Sequence, residues 1–135
     1  MNEFQKNSIM KLARMSSEDA AQWVIENYPL SANNYGDAFF YVCHRTWKVP
    51  DQKKLARYYF KKLPFSSERG YEAFASIMSM KNLIGCVREL LPSTASDKNL
   101  LLYHLLPVLN KHASNEGDHQ LIFDFCSEVK SESGK

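Results

Sequence analysis

Three times in this chain an apolar or aromatic residue, a proline, a variable residue and a serine or threonine follow directly on a stretch with helical hydrophobic spacing. They are Tyr28-Pro29-Leu30-Ser31, Leu63-Pro64-Phe65-Ser66 and Leu91-Pro92-Ser93-Thr94. Proline lacks the amide hydrogen and crowds the preceding turn, so it stops a helix; a hydroxyl just beyond it accepts from the free amides that open the next one. The prolines stand 35 and 28 residues apart, about the length of one helix pair. Either the chain repeats a stacked helix pair, each burying a face on its neighbours, or this is simply how successive helices end and restart.

Within this punctuation, Tyr35 to Trp47 is apolar and aromatic almost all round, which predicts a buried helix. Asp51 to Leu63 is amphipathic with a basic outer face and is expected to be capped by Asp51, so the two would form a central hairpin joined by Lys48-Val49-Pro50. Upstream, residues 2 to 14 predict a helix without a clear cap, and Ser16-Ser17-Glu18-Asp19 opens a second that stops at Pro29. Downstream, Ser66 to Arg69 opens a helix carrying Tyr71, Phe74, Ala75 and Met78, and a break between Ser79 and Asn82 leads into one over Leu83 to Leu91. Ser96-Asp97 is expected to cap an apolar helix that Pro107 kinks or ends; Asn115 to Asp118 forms a loop and cap before a final helix through Val129.

The expectation is an all-α chain of about seven or eight short helices stacked as antiparallel hairpins, a small α-solenoid or irregular helical bundle. It forms one domain over residues 1–130, with 131–135 as a flexible tail. The repeat length resembles that of tetratricopeptide-type helical hairpins, as architecture only. Over Tyr35 to Pro64 the spacing of Ala56 and Phe60 suits that pattern, but Pro64 comes too soon and no tryptophan, leucine, glycine, tyrosine series opens the unit.

Seventeen basic and 15 acidic side chains leave a net charge of +2, too little for the whole-molecule field to indicate a partner class. Cys43, Cys86 and Cys126 each fall inside apolar helical patterns, and no leader-like segment precedes them, so a reduced cytoplasmic protein with buried thiols is expected. The longest apolar stretch, Leu100 to Leu109, is interrupted by His104 and Pro107 and falls short of the roughly 20 residues a membrane span needs. No Cys-X-X-Cys, His-Glu-X-X-His, Gly-X-Ser-X-Gly or glycine-rich phosphate loop occurs, so no metal, cofactor or catalytic role is expected.

One surface feature carries a functional expectation. His44, Arg45, Lys48, Lys53, Lys54, Arg57, Lys61 and Lys62 crowd a stretch in which Asp51 is the only acid, and Lys54, Arg57 and Lys61 share one helix face. With the interleaved aromatics, Arg45, Trp47, Lys48, Lys53, Lys54, Arg57, Tyr58 and Lys61 become the candidate partner-binding residues. The expected function is a non-catalytic protein-binding module, of the kind that includes inhibitors and antitoxin-like immunity proteins acting on a toxin or enzyme. The alternative is an RNA- or DNA-binding helical domain using the basic 44–62 stretch, and the plain alternative to both is a solvated helix face. The C-terminal third is the acidic counterpart, with Glu116, Asp118, Asp124, Glu128 and Glu132.

Overall fold

The computed structural model describes residues 1–133, and these are all-helical, with no strand among them. The helices are α1 (Glu3–Arg14), α2 (Ser17–Asn27), α3 (Ala38–Val42), α4 (Val49–Tyr59), α5 (Arg69–Ala75), α6 (Met80–Glu89), α7 (Ala95–His112) and α8 (Glu116–Ser133). Each of the three proline motifs falls where expected: Pro29 after α2, Pro64 after the 3-10 turn that extends α4, and Pro92 after α6.

Packing follows an alternating order. Helices α2, α4, α6 and α8 each lie against the next in one rank, and α3, α5 and α7 do the same in a second, with α2 on α3, α5 on α6 and α7 on α8 joining the ranks. One continuous core fills the space between them, centred on Tyr41, Leu55, Tyr59, Phe60, Tyr71, Phe74, Leu101, Leu105 and Phe125. Each such side chain removed from water contributes about 1.5–3 kcal/mol before conformational entropy is counted. The buried phenols are also partnered: Tyr59 donates to the Tyr28 carbonyl at 2.8 Å, and Tyr71 accepts from the Phe65 amide at 2.9 Å. Gly70 admits the close approach of Phe65 and Phe39, whose ring atoms would lie 2.7 and 2.9 Å from a Cβ at this position.

The ends of the helices depart from expectation in several places. The first helix is fully capped: the Asn2 side chain accepts from the Gln5 amide while Gln5 accepts from the Asn2 amide. Lys48 rather than Asp51 is the N-cap of α4, with Pro50 in the first turn and Asp51 buried there, its charge toward the positive helix end. Thr94, not Ser96 or Asp97, caps α7 by accepting from the Asp97 amide at 3.1 Å. Pro107 does not end α7, which continues to His112; the proline lies on the exposed side, where water can serve the carbonyl of Tyr103 left without a helical donor. Helix α8 runs on through Ser133, into the stretch expected to be a tail, and residues 134 and 135 lie outside the described residues.

The largest difference concerns residues 35 to 47. Instead of one buried helix there is a 3-10 turn, Tyr35–Asp37, then the five residues of α3, after which the chain turns back on itself. The reversal is held by the Trp47 indole, which donates to the Val42 carbonyl at 2.8 Å, and by Arg45, whose guanidinium reaches the Leu12 and Met15 carbonyls at the end of α1. Helix α3 thus packs on α2 and α5 instead of chiefly on α4, and the expected central hairpin is opened out.

Candidate partner-binding surface

Because α3 stops so early, a groove opens along α3 and α5 and the turns that follow them. Two hollows lie along it and share Cys43 and Ser76 as a common wall. The larger, about 610 Å³, is edged by His44, Arg45, Thr46, Trp47, Gln52 and Ile77. The smaller, about 280 Å³, has a floor of Phe39, Phe40 and Ala73, with Arg69 and Glu72 at its rim.

Two of the residues expected to bind a partner line this groove, but as parts of its frame. Trp47 is only 6 % exposed and its indole hydrogen is spent on Val42. Arg45 stacks on the Trp47 ring at 4.8 Å and donates to the Leu12, Met15 and Thr46 carbonyls at 2.7, 3.2 and 2.8 Å. They set the groove's shape instead of offering free anchors.

The Cys43–His44 pair in the same groove is exposed, contrary to the buried thiol expected at 43, whereas Cys86 is buried and Cys126 half-buried. Burial of its sulfur nevertheless pushes the Cys43 thiol above its ordinary pKa, and Sγ donates to the Phe40 carbonyl at 3.3 Å. His44 Nδ1 is engaged with that same carbonyl. Cys43 Sγ and His44 Nδ1 also lie 3.5 Å apart.

The basic stripe of α4 exists as a surface, and two of its side chains, Arg57 and Lys54, are met from neighbouring helices. Arg57 donates to both carboxylate oxygens of Glu89 on α6, at 2.9 and 3.0 Å, and Lys54 donates to Gln22 on α2 at 2.9 Å. Arg88 on α6 in turn meets Glu128 on α8 at 2.7 Å. A polar ladder thus ties each helix of the first rank to the next. In the second rank Glu72 of α5 accepts from His112 and Lys111 of α7 at 2.8 and 3.1 Å.

The remaining candidates scatter. Tyr58 is half-buried, its hydroxyl accepting from the Leu30 amide at 2.8 Å, with the Lys61 amine 5.6 Å from its ring. Lys62 similarly lies over Tyr35 at 5.3 Å. Lys53 is half-buried. Lys48 and Lys54 edge a separate hollow of about 490 Å³ against Ser16 and Ser17, where Glu18 and Asp51 offset them. The eight candidates do not share one hollow: Arg45 and Trp47 border one, Lys48 and Lys54 another, and Lys53, Arg57, Tyr58 and Lys61 line neither.

Sequence reasoning passed over Phe40, Arg69 and Ser76, which meet in the groove only because α3 and α5 are neighbours in space. It grouped Phe4 with Ile9 and Leu12 on the inner side of α1 and passed over Tyr103 and Phe123, yet all three stand out in solvent although each is large and apolar. For Phe123 a signal was present: one position after Ile122 and two before Phe125, both buried, it cannot share their face.

Among the described residues no group of three or more metal-ligating side chains converges, and no helix is long and apolar enough to cross a membrane. No family model matches the chain, and neither a curated protein nor a solved structure does.

Proposed function

We propose that this domain is a non-catalytic protein-binding module whose partner seats in the groove along α3 and α5. The observation that carries the reading is the pair of adjoining hollows sharing Cys43 and Ser76. The apolar one, over Phe39, Phe40 and Ala73, suits an aromatic or aliphatic anchor, with Arg69 and Glu72 at its rim for polar contacts. The framework suits recognition in a preformed shape, since Arg45 and Trp47 fix one wall and Glu72 ties α5 to α7. A narrower reading, a direct-binding inhibitor or immunity-type protein, rests on size and architecture alone.

The nucleic-acid reading is weaker, because Arg57 is neutralised by Glu89 and the lysines of the Ser16 hollow face Glu18 and Asp51. Capture from a native-host lysate, with and without nuclease, separates the two. A stoichiometric protein that survives nuclease and is lost with Ser76→Arg, which fills the shared wall, supports the groove. Retention of nucleic acid with affinity falling steeply in salt, reversed by Lys54→Glu and Lys61→Glu, would overturn it.

A further inference from the structure

The large apolar side chains left in solvent are not spread evenly. Among the described residues they are Met1, Phe4 and Met10 at the start of the array, Leu100, Tyr103 and Phe123 in its last helix pair, and Val49 alone between. Phe4, Tyr103 and Phe123 are 65, 74 and 67 % exposed. A stacked helical array remains soluble as single copies when its terminal helices turn a polar side outward. Here each terminal helix pair sets large apolar side chains into an otherwise polar outward side.

The outermost helices also differ in charge. Helix α1 carries Lys6, Lys11 and Arg14 against Glu3, whereas α8 carries Glu116, Asp118, Asp124, Glu128 and Glu132 against Lys130. Asp118 is taken up by Ser114 and Glu128 by Arg88, whereas Glu116 and Asp124 are exposed and face no cation among the described residues, Asp124 accepting only from the neutral amide of Gln120. The charges stand beside the apolar groups. Lys11, exposed although its amine lies 6.0 Å from the Trp23 ring, is seven positions from Phe4 and so on the same side of α1, and Glu116 is seven positions from Phe123 on the same side of α8. Each end therefore presents an exposed phenylalanine with a charge of opposite sign next to it.

We propose that copies of this chain associate end to end, the outer face of α1 on one copy covering the exposed apolar residues of α7 and α8 on the next. Pairing of like ends would set lysine against lysine, or acid against acid; pairing of unlike ends buries Phe4 near Phe123 and Tyr103 with Lys11 and Arg14 near Glu116 and Asp124. Such a contact is heterologous, and every copy added leaves a free head and a free tail, so it builds open chains or rings.

Sedimentation velocity on the full chain tests this, at up to roughly 100 μM, where an interface of micromolar strength is filled. Wild type is expected to gain mass with concentration, and less so at high salt. Phe4→Glu blocks the head and Phe123→Glu the tail, each weakening self-association by at least about tenfold, with Tyr103→Glu as a second tail variant. An equimolar mixture of head-blocked and tail-blocked chains should give a one-to-one dimer and nothing larger, since only one compatible contact remains. Helical circular dichroism identical to wild type establishes that the variants fold. The proposal is overturned by a wild-type chain that stays monomeric, even if Phe4 or Tyr103 then engages another protein or lipid vesicles. It is equally overturned by either blocked variant dimerising alone as strongly as wild type.

Discussion

The guanidinium of Arg57 lies fork to fork with the carboxylate of Glu89, Nε and Nη2 each donating to a different oxygen, so that the centre of the basic stripe on α4 is neutralised from α6. Hydrogen bonding and charge from Arg57 hold Glu89 below the ordinary carboxylate range. Both groups are about half in water, so the pair shapes the surface field more than it stabilises the fold. Glu89→Gln should therefore leave the melting temperature nearly unchanged and raise the salt needed to elute the protein from heparin. Elution at the wild-type salt concentration would show that the stripe is not governed by this pair.

The clasp between α5 and α7 gives a pH dependence. Burial works to raise the pKa of Glu72, and the bonds from His112 and Lys111 outweigh it, leaving the group lowered. A folded-state pKa below the unfolded value of about 4.3 means stability that is present above that pH and lost as pH falls through the folded value. Chemical unfolding between neutral pH and about pH 3 should show wild type losing more stability than Glu72→Gln. Parallel curves would remove the clasp from the account.

Trp47 tests whether the groove wall is framework. Trp47→Ala should cost about 3–5 kcal/mol in urea unfolding. Trp47→Phe, which keeps most of the burial and loses the bond to Val42, should cost about 1 kcal/mol and leave partner capture intact. A Trp47→Ala chain as stable as wild type but unable to capture its partner would restore the tryptophan as a contact residue.

Two glycines should respond in opposite directions. A methyl at Gly70 meets the Phe65 and Phe39 rings well inside contact distance, so Gly70→Ala should destabilise by about 1–3 kcal/mol. Gly85, inside α6, has nothing within 4 Å of the added carbon, so Gly85→Ala should stabilise by about 0.4–1 kcal/mol through the unfolded chain. Thermal melts of the two variants, run side by side, check the sign at each position.

What the sequence discloses about this fold is what depends on neighbouring residues. Proline after a helix and hydroxyls or amides before one act within a single turn, and the boundaries near Pro29, Pro64, Pro92, Ser16 and Asn115 are readable for that reason. Residues 35 to 47 mislead because uniform aromatic character records burial but not its cause: Trp47 is buried by folding back onto Val42, not by continuing a helix. The basic stripe misleads in the same way, since Lys54 and Arg57 are met by Gln22 and Glu89, each 32 positions away along the chain. The groove is less legible still, because Phe40 and Ser76 become neighbours only when α3 settles on α5.

The alternation of ranks also gives unfolding a direction. Each helix of a rank rests on the one before it and the one after, so an interior helix is held from two sides and a terminal one from a single side. Amide protons of α4 and α5 should therefore exchange only in large openings, while those of α1, which buries only Ser8 and Leu12 and lies outside both ranks, should exchange first. The same amides report on the company the molecule keeps: a neighbour settling on an end of the array would slow exchange there and leave the middle as it was.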